Sequence, residues 1–262
     1  MDHQSGQCSF LRRSEKPALA YHATPAVGKG RTLPGVMFCG GFMSDMTGTK
    51  AVFMEERCRE RGQAFIRFDY SGHGQSDGAF RDGTIGQWAD DAMAVLQTLT
   101  AGPQIIIGSS MGGWIALLLA KRAAERVHGI IGIAAAPDFT EDLMWPAFTE
   151  EQRLLLTEWG YVEKPTEYGD DPYVITKSLI EDGRQNLVLR DAIAGTGPVR
   201  LLQGMEDEDV PWETAIKLTR ALSTADCRTA LIKDGDHRLA RAEDMAILES
   251  AVIELNDYDK RS

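Results

Sequence analysis

The residues with chemistry to offer gather in a few short stretches of this 262-residue sequence. One is "IIIGSSMGG", where Gly108-Ser109-Ser110-Met111-Gly112 forms a G-x-S-x-G pattern between an isoleucine run and the helix-like "GGWIALLLAKRAAERV". A strand turning into a helix over so few residues needs glycine at Gly108 and Gly112, where a Cβ would collide with neighbouring backbone. Gly113 then lets the helix pack closely. The central Ser110 is held on a strained turn with its Oγ exposed at the strand end, and Ser109 occupies the variable position. A serine hydroxyl is a poor nucleophile until an imidazole takes its proton, and that imidazole needs an acid to orient it. Ser110 is therefore the expected nucleophile, and a base and an acid must be found for it.

Five histidines are available. His3 and His22 precede the first clear core strand, and His128 falls at a helix-to-strand junction, away from the loops that follow strands. His73, in "SGHGQS", follows a strand but precedes the serine and reads as a turn residue with a structural hydrogen-bonding role. His237, in "KDGDHRLA", follows the last expected strand and precedes the last helix, so it is the expected base. The acid should lie between Ser110 and His237 in chain order, at a strand end. "LLQGMEDEDVPWE" offers Glu206, Asp207, Glu208 and Asp209, and Asp138 after the preceding strand is a rival. Residue type alone does not choose among them.

These residues need a scaffold that brings distant strand ends together. Consecutive apolar positions mark strands covered on both faces, and they recur at Val36–Cys39, in "QAFIRFDY", "QIII", "HGIIGIAAAP" and "PVRLLQG", and in "CRTALIKDGDH". Helix-like text separates them: "GTKAVFMEERCRERG", closed by Gly62, then residues 84–100, then the helix after Ser110. Strand and helix in alternation predict an α/β fold with a mostly parallel, doubly wound sheet. The interval from Pro137 to Pro198 is far longer than a simple crossover requires. It contains "DLMWPAFTEEQRLLLTEWG" and the turn-prone "YVEKPTEYGDDPY". We expect residues 1–137 and 198–262 to form the core, with 138–197 an inserted helical cap over the strand ends, where such folds bind ligands.

At these positions the chain resembles the α/β-hydrolase superfamily. "QGMEDEDVP" is similar to its recurring H-G-x-x-D-x-x-V-P turn, and the likeness picks Asp207 as the acid. Gln203 stands where the turn usually has histidine, a departure expected to touch no catalytic role. "FDYSGHGQS" resembles the D-x-R-G-x-G-x-S segment. Together with "GTKA", "GPQIIIGSSMGGW", "VRLLQG", "DVPW" and "DHR", these stretches resemble the α/β-hydrolase-domain family of mitochondrial acyl-glucuronide esterases and palmitoyl-protein thioesterases, from about Gly35 to the C-terminus. That resemblance implies hydrolysis of an ester or thioester of a small or acyl-chain substrate. It also implies an oxyanion hole made by the backbone N–H groups of Met111 and of Phe42, in "CGGFMSDM". Beneath the cap, Met43, Trp145 and Trp159 are candidates for an apolar acyl pocket, with Met46, Met111, Phe148 and residues 154–156 beside them. Arg238 is a candidate partner for an anionic leaving group.

Composition bounds the alternatives. Lys and Arg number 28 against 39 Asp and Glu, a formal net charge of −11, which argues against sequence-independent binding to nucleic acid or an anionic membrane. No window supplies the roughly 18 apolar residues of a membrane span. Cys8, Cys39, Cys58 and Cys227 show no C-x-x-C spacing, and the N-terminal residues show neither a secretory signal nor an Arg-rich transit peptide, so a cytoplasmic protein is expected. No cofactor or metal is expected, since H-E-x-x-H, a P-loop and G-x-G-x-x-G are all missing. Oligomeric state is not readable. Two other classes stay open: cleavage of a peptide or carbon–carbon bond on the same fold, and a non-catalytic ligand binder.

Overall fold

The computed structural model describes residues 8–164 and 172–258. His3 and part of the turn-prone stretch of the insert lie outside the described residues. Ten strands and eight helices follow in the order β1 (Ser9–Arg13), β2 (Lys16–Thr24), β3 (Gly35–Cys39), α1 (Thr49–Arg61), β4 (Phe65–Phe68), α2 (Ile85–Leu99), β5 (Gln104–Ser109), α3 (Met111–Arg122), β6 (Val127–Ile133), α4 (Trp145–Ala147), α5 (Glu150–Glu158), β7 (Tyr161–Lys164), β8 (Tyr173–Thr176), α6 (Lys177–Gln185), β9 (Val199–Gly204), α7 (Glu213–Ala221), β10 (Cys227–Ile232) and α8 (Ala242–Asn256).

Eight strands make one sheet in the order β1-β2-β4-β3-β5-β6-β9-β10. From β4 to β10 neighbours run parallel, while β1 and β2 extend the edge antiparallel. The apolar runs split between the two faces, as the period of two demands. Met37, Cys39, Ile66, Phe68 and Ile106 pack toward α2 and α3. Val36, Phe38, Phe65, Ile105, Ile107, Ile131 and Ile133 pack toward α1 and α8. Six of the eight sheet strands are those expected from consecutive apolar residues. The other two are β1, a largely exposed edge strand, and β2, which pairs with β1 and β4 and is buried only at Leu19 and Ala20. Arg13 of β1 ties that edge to the core through a 2.6 Å ion pair with the buried Asp91 of α2.

Helix boundaries follow local chemistry. Thr84 caps α2 by accepting from the Gln87 N–H, and Gly62 ends α1 at φ 67° in the left-handed region that favours glycine. Between β6 and β9 the chain leaves the sheet. A π-helical turn, Thr140–Met144, leads into α4 and α5, and Thr149 opens α5 with a capping box to Gln152. The segment is only partly helical, because β7 and β8 pair as an antiparallel hairpin before α6.

Parallel register aligns the carboxyl ends of the central strands. Cys39 pairs with Gly108, Ser109 with Ile133, Ile133 with Leu202, and Gly204 with Ile232. The segments that begin at Gly40, Ser110, Ala134, Met205 and Lys233 therefore all leave the sheet along one edge.

Candidate active site

Ser110 sits between β5 and α3 with φ 53° and ψ −117°, a conformation that non-glycine residues rarely hold. Its N–H donates to the Ile133 carbonyl at 2.9 Å, and its carbonyl accepts from Gly113 and Ala136 at 2.9 and 3.0 Å. Three backbone bonds thus hold the strained residue in place. A Cβ at Gly108 would lie 2.3 Å from the Gly112 carbonyl oxygen, and one at Gly112 would lie 2.1 Å from that of Cys39. The glycine requirement at both positions is therefore backbone contact, which no side-chain shift relieves.

Asp207 and His237 meet beyond the ends of β9 and β10. The imidazole Nδ1 lies 2.9 and 3.0 Å from the two carboxylate oxygens, and the Asp207 side chain is entirely buried. Asp207 Oδ1 also accepts from the N–H groups of Asp209 and Val210 at 3.0 and 2.8 Å, and Oδ2 accepts from Gln203 Nε2 at 2.9 Å. An acceptor-only carboxylate on Nδ1 means that this nitrogen carries the proton, which leaves Nε2 with its lone pair. The His237 side chain is 19 % exposed, open enough to exchange protons with a bound molecule. Lys50 of α1 supports the loop by donating to the Arg238 carbonyl, and burial pulls its ammonium down to about 8.

The rival residues have other attachments. Asp138 accepts from the Val188 and Leu189 N–H groups at 2.8 and 2.9 Å and faces Arg190, which fastens the insert to the end of β6. His73 is 4 % exposed. Its Nε2 accepts from the Met43 N–H at 3.3 Å and its Nδ1 faces the Ser71 carbonyl at 3.3 Å, so both ring nitrogens are in use. Burial lowers it to about 4, so near neutral pH it is an uncharged structural ring.

The loop after β3 passes beside Ser110. A Cβ on Gly41 would lie 3.5 Å from that of Ser110, which places the next residue, Phe42, at the serine's flank. Among the described residues neither the Phe42 nor the Met111 N–H has a backbone acceptor. The Phe42 ring lies at the centre of an aromatic shell. It meets Phe80, Trp88, Phe139 and Tyr173 edge-on, with centroids 4.9, 5.9, 5.8 and 5.6 Å away. Tyr173 comes from β8 of the insert. A second contact, Arg81 over the Tyr161 ring, seats the same hairpin beside Phe80.

The candidate pocket residues are less uniform. Met43 is 41 % exposed with φ 54°, and Trp159 is 70 % exposed. Trp145 is held between the Arg153 and Arg184 guanidiniums, with Phe148 against its edge. Met46, Met111, Phe148 and Leu156 are core residues, whereas Leu154 and Leu155 are exposed. Arg238 is exposed. Asp207, Asp209 and His237 bring possible metal-ligand atoms within 4.8 Å of one another, but both Asp207 oxygens are already occupied by N–H donors. Lys50 and Tyr173 are site neighbours that residue patterns did not single out, and Gln203 stood out only as a departure without a catalytic role. Gln203 had a signal, its place in the acid's turn; Tyr173 had none.

Comparison with known proteins agrees with this fold. The family described as alpha/beta hydrolase fold matches residues 36–165. The mouse mitochondrial palmitoyl-protein thioesterase ABHD10 is 40 % identical over 257 residues, covering 97 % of this chain and 84 % of that protein. Its human counterpart is 36 % identical over 256 residues, covering 97 % and 81 %. Among solved structures, a putative hydrolase from Agrobacterium vitis S4 superposes with a TM-score of 0.91 at 41 % identity, covering 96 % of this chain and 99 % of that one. Mouse alpha/beta hydrolase domain-containing protein 10 gives 0.86 at 38 %, with the same coverage. One expectation needs correction. The cytoplasmic address does not stand, because these curated relatives are mitochondrial by name. It rested on the lack of a recognisable targeting pattern, and a missing pattern fixes no compartment. No helix among the described residues is long and apolar enough to cross a membrane.

Proposed function

The chain belongs to the alpha/beta hydrolase fold family, and from that premise we propose that it is a serine hydrolase of acyl thioesters and esters, working through Ser110, His237 and Asp207. The observation that carries this reading is the buried Asp207 carboxylate on Nδ1 of His237, at the sheet edge where Ser110 stands on its strained turn.

The chemistry follows from the protonation pattern. His237 Nε2 takes the Ser110 proton as Oγ attacks the acyl carbonyl, and Asp207 stabilises the imidazolium that forms. The carbonyl oxygen becomes an oxyanion facing the Phe42 and Met111 N–H groups, which need no reorganisation to receive it. Collapse expels the thiolate or alkoxide, and His237 returns the proton to that leaving group. Water, deprotonated by the same Nε2, then attacks the acyl-serine and frees the carboxylic acid. In this reading residues 138–197 form the cap over the site. Relatives named palmitoyl-protein thioesterase favour a long acyl chain and a sulfur leaving group.

Matched oxygen esters and thioesters from acetyl to palmitoyl, assayed with the wild type and with Ser110→Ala, test the proposal. The expected result is a preference for long-chain thioesters, with turnover lowered by several orders of magnitude in the variant. Turnover that survives Ser110→Ala would overturn it.

A further inference from the structure

Gln203, next to last in β9, is 1 % exposed. Its Nε2 lies 2.9 Å from Asp207 Oδ2, 3.1 Å from the Val210 carbonyl and 3.3 Å from the Gly204 carbonyl. One buried amide therefore ties the end of β9 to the acid and to the far side of the acid's turn. Oδ2 is also the oxygen nearest His237 Nδ1, at 2.9 Å. The Asp209 and Val210 N–H groups both go to Oδ1. The carboxylate is thus held from its two ends, with backbone on one oxygen and Gln203 on the other. Without Gln203 it could turn about χ2 and leave the imidazole in a poorer alignment.

The side-chain contacts of Gln203 all run through its Nε2, while among the described residues its buried Oε1 meets no donor. Replacing it by an apolar side chain takes a donor from the buried Asp207 carboxylate and from the Val210 carbonyl. Unlike histidine, an amide has no titration near neutral pH, so its hydrogen bond to the acid does not change with proton concentration.

We infer that Gln203 is a positioning residue for the proposed reaction, acting through Asp207 to fix the His237 imidazole. This rests on the reading of Asp207 as the catalytic acid. The charged or titratable groups beside Asp207 are Asp209 and His237, and Lys50 interacts with it through space.

The test compares full-length wild type with Gln203→Leu and, should leucine disturb packing, Gln203→Met, which keeps the length and lacks the donor. Readouts are kcat and KM on the thioester found best above, thermal unfolding, and the low-field proton resonance of the His237 Nδ1–H. The expected result is a loss of about tenfold in kcat with KM nearly constant, as for a lost hydrogen bond to a charged group. The unfolding midpoint registers the lost donor and shows whether the variant is folded at the assay temperature, while the low-field resonance, a readout that folding stability alone would not move, should shift or broaden. A kcat within about twofold of wild type, or an unmoved resonance, would overturn the inference. Asp207→Asn serves as the separate control: activity surviving there would sink the triad reading itself, whereas an inactive Asp207→Asn beside a fully active Gln203→Leu would sink only the role of Gln203.

Discussion

His73 and His237 carry the same ring in opposite surroundings, and the surroundings decide what each does. His73 is walled in by Tyr70, Phe80 and Trp88 with both nitrogens in use, so burial takes it from its ordinary 6.5 down to about 4. His237 keeps one nitrogen on a buried carboxylate and the other open. For His73 the linkage has a definite sign. Between pH 6.5 and about 4 the unfolded chain binds a proton that the native state refuses, so stability is whole above 6.5 and is lost as pH falls toward 4. The loss amounts to about 3 kcal/mol at most. Burial raises Asp69 and Asp138, which oppose this trend just above their ordinary 3.8, and lowers His22, which adds to it. The difference between wild type and His73→Gln isolates the ring. Urea unfolding across this range should show a clearly flatter pH dependence in the variant; superimposable profiles would mean that His73 does not stay neutral in the fold. Chain position pointed to His237 rather than His73, because a base belongs after the last strand. The aromatic walls around His73 were not legible, since they come from separate segments.

At the scale of elements, the loop after β3 shows where sequence reading thins out. The family resemblance named the Phe42 N–H as a backbone donor. The phenylalanine side chain itself carried no signal. Its ring is nonetheless what sets the loop, through edge contacts to Phe80, Trp88, Phe139 and the insert's Tyr173. A main-chain donor is thereby made sensitive to a side-chain substitution. Phe42→Ala should release the loop and lower kcat by about 10- to 100-fold, approaching the cost of removing one oxyanion-hole donor outright. Tyr173→Ala should act in the same direction more weakly, since it removes one edge contact of the four. Steady-state kinetics would decide: an effect on KM alone would make this shell a substrate wall rather than a support for the donor. The insert's hairpin was likewise not foreseen. The helix-like stretch before it becomes α5, but the four-residue strands β7 and β8 are too short for a period-of-two signal to rise above a turn-prone background.

Across the whole molecule, the parallel sheet was the most legible feature. Strands covered on both faces must be apolar at consecutive positions, and β3, β5, β6 and β9 each are. The antiparallel edge was not, because β1 is largely exposed and carries two arginines in five residues, and β2 is buried only over its middle. The same sheet explains how residues as far apart as Gly40 and His237 come to one edge, since register aligns the strand ends and each loop adds one group. If this edge makes Ser110 a nucleophile through His237, brief exposure to a fluorophosphonate followed by intact-chain and peptide mass spectrometry should give a single adduct on Ser110, absent in Ser110→Ala and slowed by several orders of magnitude in His237→Ala. An adduct on another residue, or labelling of Ser110 that is indifferent to His237, would contradict that assignment.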